Sequence, residues 1–178
     1  MKTKILALIA GTMLVSSIGF AAPISDLAPG EATIGYNHYN MSNDTGNNSI
    51  YLEGAVSDKF TLGIEHNHYS ANSADWNTTD IYAQYKLDPS VHLIVGDRSY
   101  GYDNQSDKVF YGIGVTTNLA PKLDGYASVI TNNYTTEWQA GVNYALNDKL
   151  ALNVNYKSNK DNDYPTYDGV GIGLNCKF

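Results

Sequence analysis

Apolar and polar residues alternate along most of this chain. In "EWQAGVNYALNDKLALNVNYKS" (137–158), Trp138, Ala140, Val142, Tyr144, Leu146 and then Leu150, Leu152, Val154, Tyr156 form one set. Glu137, Gln139, Gly141, Asn143, Asn153, Asn155 and Lys157 form the interleaved set. A period of two marks strands with chemically distinct faces. The same reading predicts ten strands, at 31–40, 49–57, 59–69, 78–87, 90–100, 108–118, 122–131, 136–146, 149–158 and 167–178. Past the first two dozen residues no stretch has a helical period.

The connections fall into two kinds. "VSDKF" (56–60), "LDPSV" (87–91), "LAPKL" (119–123) and "LNDKL" (146–150) share a pattern and start 31, 32 and 27 residues apart. Asp and Pro preset tight turns, so each reads as a hairpin. "LAPGE" (27–31) is a fifth relative ahead of the first strand. Between them lie polar stretches that read as longer loops, at 41–48, 71–78, 101–107, 132–135 and 159–166. Strict alternation of the two kinds puts both termini on the tight-turn side. The expected fold is all-β, an antiparallel up-and-down barrel of ten strands, with eight the alternative count.

Which face is wet decides the environment. The apolar set includes Ile34, Tyr36, Ile50, Leu52, Leu62, Ile64, Ile81, Val109, Ile113, Val170, Ile172 and Leu174. The other set is rich in Gly and Asn and ends in Gly169, Gly171, Gly173, Asn175 and Lys177. A soluble barrel would expose that second set, and glycine weakens solvent-facing strands. A membrane barrel reverses the faces, turning the apolar set to lipid and packing small and polar residues inside. Ten residues tilted about 45° span ~23 Å, close to the ~25 Å apolar band of such barrels. On the apolar face Phe60, Tyr85, Tyr144 and Phe178 lie near the tight turns, and Tyr111, Trp138 and Tyr156 near the loops. Two belts of this kind suit the two headgroup regions of a bilayer. The expected barrel is therefore transmembrane.

The first residues, "MKTKILALIAGTMLVSSIGFAAP", read as a secretory signal peptide over 1–21, cut after Ala21, with the barrel domain over 22–178. Its apolar stretch is shorter than the ~20 residues a spanning helix needs. The leader holds two of the eleven basic residues, so nine remain against 18 acidic ones. That balance argues against a nucleic-acid partner. Cys176 is the one cysteine, so no internal disulfide can form.

The end of the chain, "GVGIGLNCKF", adds a more specific feature, with Gly173, Cys176 and a terminal aromatic at Phe178. It resembles the signal that outer-membrane proteins present to the barrel-assembly machinery. The whole mature chain resembles in architecture the small outer-membrane β-barrels of double-membraned bacteria, the broad OmpA-transmembrane, OmpX and Opa-like group. The resemblance implies export to the outer membrane, tight turns facing the periplasm and longer loops facing outside. It also implies a monomer whose partners are membrane lipid, lipopolysaccharide and, during folding, the assembly machinery. Many members have eight strands.

Candidate chemistry is sparse. The inward parity holds Glu53, Glu65, Asp80, Lys86, Arg98, Glu137 and Lys157. Strand pairing predicts Asp80 beside Arg98, Glu137 beside Lys157, and Glu53 facing Glu65. Such charges either plug the lumen or form an ion-selective constriction. His68 and Ser70 make an outward His-x-Ser pair similar to that of lipid A deacylases, but the neighbouring outward Asn77 and Thr79 supply no acid. Omptin-like proteases would require an Asp-x-His that is missing here. Asp44, Asp75, Asp103, Asp107, Asp161 and Asp163 line the loop side without calcium-loop spacing, so no metal or other cofactor is expected. In "VHLIVGDRSYG" (91–101) both parities are apolar and Asp97 falls on the lipid side, which a bulge at Gly96 would relieve. The expected role is structural or surface-interacting without catalysis. The alternative is a passive channel for ions or very small solutes, and a lipid A hydrolase comes third. The exported protein should have the intact mass of residues 22–178; a retained leader would refute the assigned cut.

Overall fold

The computed structural model describes residues 24, 26–72, 74–101, 106–162 and 165–178. The leader assigned to 1–21 lies outside the described residues, as do Asp103 and Asp163. Ten strands follow in order: β1 (Ala32–Met41), β2 (Thr45–Ala55), β3 (Phe60–Ala71), β4 (Ala74–Asp88), β5 (Val91–Tyr100), β6 (Lys108–Ala120), β7 (Leu123–Thr131), β8 (Thr135–Ala145), β9 (Leu150–Asp161) and β10 (Tyr167–Lys177). Each pairs antiparallel with its sequence neighbours, and β1 pairs with β10 from Thr33↔Lys177 to Met41↔Gly169. The sheet is a closed up-and-down barrel, and closure leaves no strand edge unpaired.

The faces are inverted relative to a water-soluble protein. Ile34, Leu52, Ile64, Ile81, Val95, Val109, Ile113, Val154, Ile172 and Leu174 are each more than 40% exposed on the outside. Inside, Asn37, Asn47, Ser49, Glu53, Glu65, Asn67, Asp80, Gln139 and Lys157 are at most 1% exposed. Inward Trp76 and Tyr167 pack with Tyr69, Tyr39 and Met41 in one aromatic layer.

Two of the longer loops contract to turns. The segment 41–48 is strand from Thr45 onward, leaving 42–44 as the connection, and 71–78 is strand from Ala74. Loop-like composition misled here because these polar residues face the lumen: Thr45, Asn47 and Thr78 are buried. The turn at 42–44 works because Asn43 (φ 59°) and Asp44 (φ 51°) both take the left-handed conformation that these residue types tolerate. The strict alternation of tight and loose connections therefore does not hold. The widest connections, 101–107 and 162–166, still lie at the expected end.

The four repeated turns divide into two pairs. At 56–59 and 146–149 a side chain caps the turn: Phe60 N–H donates to Ser57 Oγ (3.1 Å) and Leu150 N–H to Asn147 Oδ1 (3.0 Å). At 89–90 and 121–122 proline shortens the connection, and the ladder shifts register beside it, between Lys86 and Asp88 and between Asn118 and Ala120. The bulge expected at Gly96 is absent. Gly96 pairs in regular register with Tyr82 and Phe110, and Asp97 stays on the outer parity between Ile81 and Val109. Proline, which cannot donate to a ladder, puts the irregularity at the turn instead.

Lysine replacing Val154, on the outer face near mid-strand, should cost about 2–4 kcal/mol of folding free energy in lipid. Urea titration of vesicle-folded protein would measure it, and an unchanged midpoint would contradict a lipid-facing Val154.

Candidate functional site in the barrel interior

Five inward glycines stand directly across the ladder from inward aromatics: Gly35 from Tyr51, Gly63 from Tyr82, Gly96 from Phe110, Gly141 from Tyr126, and Gly171 from Tyr39. A Cβ at any of these five glycines would collide with the facing side chain. At four of them ring atoms fill the place a Cβ would take, and at Gly141 the Tyr126 hydroxyl and Asn155 Cβ do, which repairs the packing that glycine alone would lose.

Between these rings sits a network of buried charge. Arg98 on β5 donates from Nε and Nη2 to the two carboxylate oxygens of Asp80, each at 2.7 Å, across the ladder from its own position. Its Nη1 reaches across the interior to Glu137 Oε2 on β8 at 2.8 Å. Lys157 on β9 lies 3.3 Å from Glu137 Oε1 and 3.8 Å from Glu65 Oε1 on β3, and donates to Asn67 Oδ1 at 3.0 Å. The Lys157 ammonium also stands 5.3 Å from the centre of the Tyr39 ring. Arg98 is 2% exposed, and Lys157, Asp80, Glu137 and Glu65 no more than 1%.

Glu53 and Glu65 do not face each other. The register sets Tyr51 opposite Glu65 and Gly63 opposite Glu53, two residues along from the expected pairing. Each carboxylate has neutral donors instead. Ser49 Oγ donates to Glu65 (2.5 Å), and Tyr82 Oη (3.1 Å) and Gln84 Nε2 (2.5 Å) donate to Glu53. Lys86 is not part of the network: it sits at the tight-turn mouth, 2.6 Å from Asp26. Among the buried charges four carboxylates (Glu53, Glu65, Asp80, Glu137) meet two cations (Arg98, Lys157), so hydroxyl and amide donors carry part of the neutralisation.

A second rung crosses nearby. Gln139 Nε2 donates to both Tyr39 Oη and Tyr126 Oη at 3.0 Å, linking β8 to β1 and β7. Tyr126 also accepts from Asn153 Nδ2 at 3.1 Å. Parity alone puts Asn67 and Gln139 on the inward face; their partners, separated by 90 and 100 residues, are set by barrel closure.

No protein-family model matches the sequence, and no curated protein does. Among solved structures, the NanC porin aligns over 82% of this chain and 100% of its own, with a TM-score of 0.50 and 10% identity. The N-terminal β-barrel domain of Pseudomonas aeruginosa OprF aligns over 85% of this chain and 100% of its own, with a TM-score of 0.45 and 13% identity. This chain has the fold of an outer-membrane β-barrel.

On the outer face of this outer-membrane-type barrel the remaining candidates separate. His68 Nδ1 pairs with Asn77 Oδ1 at 2.7 Å, while Ser70 Oγ donates to Asp75 Oδ1 at 2.9 Å. The serine therefore meets an acid two residues beyond the outward Asn77, and its hydroxyl proton points to that acid, away from His68. His38 and His66 bond to Asn48 Oδ1 and Thr79 Oγ1, each at 2.9 Å. Among the described residues no group of His, Cys, Asp and Glu is arranged to hold a metal ion. The belt residues lie outside, with Phe60 against Tyr85 (centroids 5.0 Å) and Trp138 against Tyr156 (5.2 Å). Tyr111, Tyr144 and Phe178 are exposed, and Cys176, beside Ile34, is half-buried. Gly173 lies inward against Asn37.

Replacing Arg98 with Ala strands the buried Asp80, leaves Glu137 with Lys157 alone, and should destabilise the barrel by about 3–5 kcal/mol. Arg98→Lys should recover only part of this, since an ammonium cannot reproduce the two-pronged bond to Asp80. Equal urea midpoints for R98A and the parent would show that the network carries no such energy.

Proposed function

We propose that this chain is an integral outer-membrane barrel with a closed polar lumen and a structural, surface-presenting role without catalysis. The observation that carries this reading is the set of side-chain rungs across the interior, Arg98 to Glu137, Lys157 to Glu65 and Asn67, and Gln139 to Tyr39. These links join strands that are not ladder neighbours, at the depth where a pore would need open space. The lumen-filling aromatics over glycine act in the same sense. The separate partners of His68 and Ser70 support the absence of lipid A hydrolysis.

The chain reaches the membrane through its cleaved Sec leader and folds as a monomer on the assembly machinery, which reads Gly173, Cys176 and Phe178. The turns at 56–59, 89–90, 121–122 and 146–149 face the periplasm, with both termini. The connections at 101–107 and 162–166 face outside, toward lipopolysaccharide. Phe60, Tyr85, Tyr144 and Phe178 anchor the inner headgroup level, and Tyr111, Trp138 and Tyr156 the outer one.

Purified protein in planar lipid bilayers tests the central point. Wild type should give no steady open steps, and Arg98→Ala combined with Lys157→Ala should give them if the variant remains folded. Steady conductance by wild type would overturn the closed lumen and favour the passive channel.

A further inference from the structure

The tight-turn mouth of the barrel is covered by residues that precede the first strand. Ile24 is 2% exposed and lies inside the wall, in one apolar cluster with Tyr51, Tyr82, Ile94, Phe110 and Ile130. Its Cδ1 occupies the space over Gly114 where any Cβ would stand, next to Ile94 Cδ1. Leu27 is 5% exposed. From there the chain turns at Pro29–Gly30 (Gly30 φ 85°) and enters β1, with Gly30 N–H donating to Ala55 O at 2.8 Å.

Charges from the ends of two strands meet this segment. Lys86, at the end of β4, lies 2.6 Å from Asp26 Oδ1. Lys177, at the end of β10, lies 3.2 Å from Glu31 Oε2 and 3.5 Å from Asp26 O. The Ala28 N–H bonded to Glu31, and Lys177 beside it, hold that carboxyl below its ordinary range, so it is ionised at neutral pH. Beneath the segment a polar recess of about 440 Å³ is bounded by Asp26, Leu27, Glu31, Asp58, Lys86 and Lys177.

We infer that Ile24 and residues 26–31 are a strap docked into a binding site at the tight-turn mouth, with Ile24 as its anchor in the lumen and Lys86 and Lys177 as its latches. The site has two chemically distinct halves. Its apolar half, over Gly114, takes one branched aliphatic side chain. Its rim half takes carboxylates on lysines, and those exposed ion pairs are weak and screened by salt. The strap is a closure in series with the luminal charge network and does not depend on it. Ile94 lies between Arg98 and the 89–90 turn along β5, so a probe entering from this mouth reaches it without crossing the network.

Maleimide labelling separates the two closures. A Cys176→Ser, Ile94→Cys chain (residues 22–178), folded in detergent, should react slowly with a membrane-impermeant maleimide. Deleting 22–28, or changing Ile24 to Asp, should raise the rate at least tenfold in protein that keeps its heat-modifiable gel migration. Asp26→Lys, which leaves the apolar residues in place, should raise it less, and the parent's rate should climb with salt. Fast labelling of the intact chain would overturn the strap, as would equal rates for the intact and Ile24→Asp chains. Neither result bears on conductance, which reads the network; a conducting wild type with a slow Ile94→Cys would reject the closed lumen and keep the strap.

Discussion

Backbone hydrogen bonding closed into a ring is the constraint on which the rest of the molecule depends. Lipid offers no partner to an N–H or C=O group, so a sheet in that environment must pair its last strand with its first. The β1–β10 ladder does this over nine residue pairs, from Thr33↔Lys177 to Met41↔Gly169. Once closed, the wall has an inside and an outside, and the period-two pattern assigns every residue to one or the other. The outside then gains from being apolar, and the inside must find partners for its polar groups.

The interior meets part of that demand in two ways, with buried atoms such as Asn47 Oδ1 and Glu65 Oε2 left without a hydrogen-bond partner. Glycine on one strand leaves room for an aromatic ring from the next, so that Tyr39, Tyr51, Tyr82, Phe110 and Tyr126 fill volume without forcing the wall apart. Charges are then held in the remaining space by partners from distant strands. Arg98 is the hub, since only a guanidinium can bond two oxygens of Asp80 and still reach Glu137. A buried ion pair contributes modest net stability compared with an apolar isostere. Its members are not equivalent, because losing Arg98 leaves Asp80 without its cation, whereas losing Glu65 still leaves Lys157 beside Glu137.

Depth along the barrel orders these features. Ile24 stands over Gly114 on the tight-turn side, in a cluster that reaches Phe110 and Ile130 at the loop-side ends of β6 and β7, the Arg98–Lys157 network crosses the lumen, and the Tyr39–Tyr69–Trp76–Tyr167 layer lies toward the loop end. Tyr69 and Trp76 stack at 4.9 Å with rings nearly parallel, on the paired strands β3 and β4. Three groupings of different chemistry give the closed-lumen reading its physical basis. They also explain why the strap and the network are separable: one is apolar with salt-sensitive latches at the rim, the other fully enclosed.

Much of this was legible in the chain alone, since alternation is a local property. Ten strands, their antiparallel order and the inverted faces all follow from parity and turn residues, and parity likewise puts Glu65, Asp80, Arg98, Glu137 and Lys157 on the inward face. Polar segments were harder, because Thr45, Asn47 and Thr78 have the composition of a loop whether they hang in water or face a polar lumen. Only the tertiary structure could decide register and cross-lumen partners. A register shift of two residues moves Glu53 from Glu65 to Gly63, and closure alone brings β5 within reach of β8, or Ile24 over Gly114. Those contacts depend on distances around a ring, and no pattern of neighbouring residues encodes a distance across it.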